Sequence, residues 1–300
     1  MFKALPATVR GVFAFVLFVV NTFFWCIPLF IMAVLKAAVP IRGWRRGCSR
    51  LLNAIAENWI WGNNLNQKLT SSTRWDVKGA EQLDMSQWYL VLANHQSWAD
   101  IVILQRIFHR RIPFLKFFIK KELFWLPLLG QAWWALDFPF IKRYPKEKIQ
   151  RNPELRGKDL AVTRNACRRF KQIPISIMNF VEGTRFTLQK HRQQRSPYTH
   201  LLNPRAGGIA AVLNAMGDRI HRILDVTIVY PGGRHSFWAL LCGNIEEIKV
   251  RVRSLPVGSE LLGDPLNDGG FRLRFQQWLN ALWAEKDRQI DELLAGCAGR

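Results

Sequence analysis

His95 and Asp100 are the two residues whose types and spacing best suit chemistry. They sit in the run Asn94-His95-Gln96-Ser97-Trp98-Ala99-Asp100, directly after the fully apolar segment Trp88 to Ala93 (WYLVLA). That segment reads as a short buried strand. A histidine on a strand-to-helix turn is firmly held and can face a cleft. Asp100 follows about one helical turn later. If the turn folds back, its carboxylate accepts a hydrogen bond from one ring nitrogen and leaves the other free as a base. This is the histidine–carboxylate half of a serine-hydrolase triad without its nucleophile. A substrate that brings its own hydroxyl needs no enzyme serine. A capped surface histidine beside a solvated aspartate gives the same pattern, so this block alone does not decide.

A second block, Phe180-Val181-Glu182-Gly183-Thr184-Arg185, closes another apolar run, Ile175 to Val181. Gly183 permits a tight turn. Arg185 then stands where backbone amides also point outward, a suitable place for a phosphate. Glu182 either orients Arg185 or organises the turn. A surface ion pair on a strand-terminating turn is the plainer alternative, and such a pair contributes little.

With both blocks in this order, the chain resembles the glycerolipid acyltransferase family that includes lysophosphatidic acid acyltransferases. That family carries N-H-x-x-x-x-D and, later, [FV]-x-E-G-T-R. Further runs are similar: Phe138 to Arg143, Leu224 to Tyr230, Ile119-Lys120-Lys121-Glu122-Leu123, Pro127 to Gly130, and Phe186-Thr187 with Lys190-His191. The likeness extends from about residue 75 to residue 232. Three positions depart from it. Asp137 stands where many members have Gly, and Val181 and Asp225 stand where Pro is frequent.

The resemblance implies an α/β fold: a glycerol-3-phosphate acyltransferase-like domain, with a mixed sheet flanked by helices. It implies that His95 takes a proton from the acceptor hydroxyl while Asp100 orients it. Arg185, Lys120 and Arg143 would hold the phosphate, with Asn94, Glu182, Gly183 and Thr184 also in the substrate site. Backbone amides around Gly183 or near Asn94 are both candidates for the oxyanion donors. The implied co-substrate is a thioester, acyl-CoA or acyl carrier protein, and no metal or prosthetic group is implied. The foremost acceptor is 1-acyl-glycerol-3-phosphate. Lysophosphatidylglycerol, lysophosphatidylinositol and lysocardiolipin are alternatives, with Asp137 the departure best placed to alter the acceptor pocket.

The elements that must position these residues are legible in outline. Helices are expected over Trp98 to Phe108, Gly157 to Lys171 and Ala210 to Met216. Further strands are expected over Trp133 to Ile141, Leu224 to Tyr230 and Ile248 to Val252, with Pro139 pushing the first to an edge or loop. Phe271, Phe275, Trp278, Leu279 and Leu282 recur at helical spacing and suit core packing. Beyond Gly233 no motif places the chain.

Lys and Arg number 43 against 22 Asp and Glu, a formal net charge of +21, so an anionic partner is expected. No zinc-finger spacing, RNA-recognition signature or basic region entering heptads favours nucleic acid. An apolar, uncharged run from Gly11 to Leu35 favours a bilayer instead, being long enough to cross one. The basic flank Lys36 to Arg50 exceeds Lys3 and Arg10, which would leave the catalytic bulk in the cytoplasm, at a bacterial inner membrane. Asn21, Thr22 and Pro28 interrupt the run, and Leu51 to Ile60 adds an amphipathic segment. A kinked hairpin dipping into one leaflet is therefore the alternative to a span. Residues 1–72 are read as anchor and amphipathic helix, and 73–300 as the catalytic domain. A basic membrane-surface recruitment protein would explain charge and anchor alone, but not the two blocks. The five dispersed cysteines form no CxxC pair or metal quartet, which suits a reducing compartment.

Overall fold

The computed structural model describes residues 2, 5–141, 154–265 and 267–298. Two long helices come first, α1 (Ala7–Ala38) and α2 (Arg42–Thr70). They pack as an antiparallel hairpin, and the polar residues of the apolar run form its seam. Asn21 Nδ2 donates to the Trp59 carbonyl and to Asn63 Oδ1, each at 2.9 Å. Trp59 Nε1 donates to Thr22 Oγ1 at 3.0 Å, and Asn66 Nδ2 to the Ala14 carbonyl at 2.8 Å. Gly62 makes room for this seam, because a Cβ there would lie 2.3 Å from Asn21 Oδ1. Pro28 lies inside α1 without ending it.

The hairpin does not stand apart from the rest. Arg10 Nε, near the start of α1, donates to the Cys242 carbonyl at 2.7 Å. Phe18 meets Phe237 edge to face. Cys26 and Leu29 share a buried cluster with Phe114, Ala132 and Phe138. Lys36, in the last turn, pairs with Asp137 at 2.5 Å. Both ends of a helix about 48 Å long are thus tied to the same body. Its opposite face leaves Phe15, Phe23, Phe24, Ile27, Ile31 and Val34 exposed.

Next come β1 (Arg74–Lys78), β2 (Trp88–Ala93), α3 (Ala99–Phe108), β3 (Leu115–Phe117), β4 (Ile119–Lys120), α4 (Leu129–Ala135) and β5 (Phe140–Ile141). They are followed by α5 (Glu154–Phe170), β6 (Ser176–Phe180), α6 (Leu188–Gln194), α7 (Ala206–Met216), β7 (Ile220–Val229), α8 (Phe237–Leu241), β8 (Glu247–Pro256) and α9 (Gly269–Ala298). Six strands form one sheet in the order β1-β8-β7-β2-β6-β3. All neighbours are parallel except β7 and β8, and β4 and β5 form a separate parallel pair. β2 is apolar throughout because both faces are covered. Leu90 and Leu92 pack with Phe170, Leu213 and Trp283 on one side. Tyr89, Val91 and Ala93 pack with Ile103, Ile107 and Leu240 on the other.

One expected element changes. Trp133 to Ile141 is mostly not a strand: α4 runs through Ala135, and only Phe140–Ile141 pairs. The tail that no motif places supplies β8, which contains the expected strand Ile248 to Val252 and sits between β1 and β7, and α9, which carries the expected helical stripe from Phe271 to Leu282. Asp225 is fully buried and binds that tail, pairing with Lys286 at 2.6 Å and Arg253 at 2.7 Å. Asp137 has a left-handed φ of 60°. Glycine adopts that conformation freely and aspartate tolerates it. Its carboxylate faces Lys36 and Arg169.

Candidate active site

β2 and β6 are parallel neighbours, so their C-terminal ends deliver the two blocks side by side. Asn94 caps the end of β2 by mimicking backbone. Its amide donates to the Ile228 carbonyl and accepts from the Ile228 N–H, each at 2.9 Å. That pins the loop to β7 and turns the next residue, His95, out of the sheet.

The His95 imidazole Nδ1 lies 2.9 Å from Asp100 Oδ2. The same oxygen accepts the backbone N–H of Gln96 at 2.6 Å and of Ser97 at 2.8 Å. Tyr230 donates its hydroxyl to the other oxygen, Oδ1, at 2.5 Å. Asp100 sits in the first turn of α3, where the helix dipole favours a negative charge. A carboxylate surrounded by donors requires the proton on Nδ1, so Nε2 carries the lone pair. Nε2 makes no hydrogen bond among the described residues, and the His95 side chain retains 11% exposure, enough to be reached. Phe180 stacks on the ring, centroids 3.8 Å apart, and fixes its plane.

Glu182 organises the turn: it is buried and makes no ion pair with Arg185 among the described residues. Its Oε1 accepts from His95 N at 3.0 Å, and its Oε2 from Leu202 N at 3.1 Å. Burial pushes its carboxyl up to about 8, against the pull of those two amides. Gly183 adopts φ 68°, with its N–H on the Phe180 carbonyl at 2.8 Å, and closes the turn. Val181 uses an N–H that proline would lack, donating to the Ala93 carbonyl at 3.2 Å.

Arg185 is exposed, with its guanidinium 4.9 Å from the centre of the Trp98 ring. Lys190 joins it: its Nζ donates to Thr184 Oγ1 at 2.7 Å and to the Arg185 carbonyl at 3.0 Å. Two cations therefore lie on the segment whose Phe186 N–H donates to the His95 carbonyl at 2.8 Å. Lys120 is not brought to them by any contact among the described residues, and pairs with Glu122 at 3.7 Å. Arg143 lies outside the described residues. Tyr230, Phe180, Trp98 and Lys190 were not singled out as site residues from sequence. Each nevertheless falls in a run quoted above: Trp98 and Phe180 in the two blocks, Lys190 beside His191, and Tyr230 at the end of the apolar run that proves to neighbour β2.

Fold and site together define an acyltransferase: the family model described as Acyltransferase matches residues 74–231, and the chain belongs to that family. Among particular relatives, 1-acyl-sn-glycerol-3-phosphate acyltransferase gamma of Homo sapiens is 30% identical over 184 residues, 57% of this chain and 44% of the relative. The 2-acyl-1-lysophosphatidylinositol acyltransferase of Saccharomyces cerevisiae is 23% identical over 246 residues, 67% of this chain and 60% of that one. The chain thus spans less than half the length of the human relative. The crystal structure of the 1-acyl-sn-glycerophosphate (LPA) acyltransferase PlsC from Thermotoga maritima shares the fold. Its TM-score is 0.52 at 16% identity, over 96% of this chain and 97% of that one.

Proposed function

We propose that this chain transfers a fatty acyl group from a thioester to the free hydroxyl of a lysophospholipid, foremost 1-acyl-glycerol-3-phosphate. The observation that carries the reading is the open Nε2 of His95, held by Asp100, on a turn that the Phe186 N–H ties to the segment bearing Arg185 and Lys190. Nε2 accepts the hydroxyl proton as the acceptor oxygen attacks the thioester carbonyl. The tetrahedral intermediate collapses, the C–S bond breaks, and the thiolate leaves with the proton returned by the imidazolium. Arg185, as a planar fork, and Lys190, as a point charge, bind the acceptor phosphate. The amides of His95, Gln96 and Ser97 are committed to Glu182 and Asp100. The Gly183 amide closes its own turn. Those of Thr184 and Arg185 make no hydrogen bond among the described residues and are the better oxyanion donors.

The acyl donor is acyl-CoA or an acyl carrier protein, used without a prosthetic group. Other lysophospholipids remain a second reading, supported by the lysophosphatidylinositol enzyme among the relatives. Asp137 lends it no weight, since its carboxylate is occupied by Lys36.

Catalysis occurs at a membrane surface, and the anchor is monotopic. A spanning helix has its ends on opposite sides of a bilayer, whereas Arg10 and Lys36 both bind the catalytic body. α1 therefore lies along one leaflet, its exposed apolar face in lipid. The basic excess favours an anionic, cytoplasm-facing leaflet. The test is acyl transfer by purified protein from palmitoyl-CoA to a panel of lysophospholipids. Transfer onto lysophosphatidic acid, cut by a factor on the order of 10² in His95→Ala, is expected. Undiminished transfer by a folded His95→Ala protein would refute the assignment.

A further inference from the structure

Lys36, Arg45, Arg46, Lys116 and Arg169 line one cavity of about 440 Å³, with Asp137 as its acid. It lies between the turn joining α1 to α2 and the start of β6, since Ile175 also lines it. Phe180, which stacks on His95, is at the other end of that strand. At about 3.3 Å per residue, Ile175 and Phe180 are roughly 17 Å apart along that strand.

The cavity is short of negative charge. Asp137 offsets Lys36, which it contacts at 2.5 Å, and reaches Arg169 only at 4.0 Å. Lys116 is buried and satisfied by a neutral partner, the Leu136 carbonyl, at 2.6 Å. Arg45 and Arg46 are exposed, and neither guanidinium has a hydrogen bond or ion pair among the described residues. Cations gathered around one space repel each other unless an anion fills it. The surroundings are apolar. Trp134 lines the cavity and is exposed, and Ile31, Val34, Ile41 and Trp44 are exposed around the same turn.

We propose that this cavity binds a phosphate monoester at a site separate from the acceptor's phosphate beside His95. A monoester carries about two negative charges at neutral pH, which suits several cations facing one acid. Arg45 and Arg46 present planar forks, and Lys36 and Lys116 present point charges. The monoester is either the headgroup of a lipid whose chains run along α1 or a soluble phosphate compound. The site stands independently of the acyl-transfer reading.

The experiment uses the full chain and phosphatidylcholine vesicles doped with phosphatidic acid or, at matched surface charge, phosphatidylglycerol. Arg45→Gln/Arg46→Gln is compared with Arg42→Gln/Arg50→Gln. The second pair removes the same charge from exposed positions on the same helix that do not line the cavity. Binding to phosphatidic acid vesicles should fall on the order of tenfold further in the first variant than in the second. The wild-type protein should prefer phosphatidic acid to phosphatidylglycerol. Displacement from vesicles by glycerol 3-phosphate or CoA would name a soluble phosphate as the occupant; resistance to both would name the lipid. Equal losses in the two variants, or no preference between the two lipids, would overturn the proposal and leave diffuse surface attraction.

Discussion

Tyr230 Oη lies 2.5 Å from Oδ1 of Asp100, and both groups are buried. The phenol is held neutral: burial first, and then the Asp100 charge, raise its pKa well above the ordinary value. Tyr230 thus acts as a fixed donor that positions the carboxylate for His95. A hydrogen bond to a charged group contributes about 1.5–3 kcal/mol, so Tyr230→Phe should lower kcat on the order of tenfold. Acceptor KM should change little, and Asp100→Asn should cost more. A Tyr230→Phe enzyme with unchanged kcat and pH–rate profile would reduce the residue to packing.

Arg185 should not tolerate lysine. A point charge cannot reproduce a bidentate fork or the stacking on Trp98. Arg185→Lys is expected to raise acceptor KM about ten- to a hundredfold, from a loss of about 1.5–3 kcal/mol. An effect on the thioester donor alone would move this arginine to the donor's phosphates.

Membrane attachment is best tested on single faces of α1. Deleting the helix would also strip Cys26 and Leu29 from the cluster around Phe114. Phe24 and Ile27 are 62% and 63% exposed, so Phe24→Asp/Ile27→Asp should leave the thermal midpoint near the parent's. Vesicle binding should weaken on the order of tenfold or more, as two apolar groups leave the lipid. Unaltered pelleting with vesicles would assign attachment to another surface.

Lys116 gives a pH signature in stability. Burial lowers its pKa from an ordinary 10.5 to about 8. Between those values the unfolded chain holds a proton that the folded chain has released, so this residue makes stability rise with pH across that window. Below about pH 8 its contribution is constant and at its least favourable. The difference between wild type and Lys116→Met, followed by denaturant unfolding from pH 8 to pH 10.5, should change by about 2–3 kcal/mol. A difference flat across that range would show that Lys116 is solvated.

Much of the frame was legible because β2, β6 and β7 are apolar runs buried on both faces, and such runs announce themselves. The His95–Asp100 spacing was legible because it is local, spanning one turn. β1, with the sequence RWDVK, was not. Its residues are strand-formers only because β8 lies beside them. The Leu129–Ala135 helix was misread since a short apolar stretch fits either period. Tyr230 on Asp100, and Leu202 on Glu182, join residues 130 and 20 positions apart, and no spacing rule anticipates them. The hold of Lys286 on Asp225 was equally hidden, although the unusual acid at 225 was plain.

The insertion of β8 between β1 and β7 has a consequence for how the protein is made. Among the described residues β1 pairs only with β8, whose first residue lies 169 positions after the end of β1. A chain emerging from the ribosome N-terminus first therefore releases the α1–α2 hairpin, with its exposed phenylalanines, long before the sheet can close. β2, β6 and β7 can zip together in that interval, but β7 keeps an open edge until residues 247–256 appear. Such edges recruit stray strands. Early seating of the hairpin on a membrane, followed by late capture of β8, would hold the nascent chain in a dilute two-dimensional setting while that edge is bare.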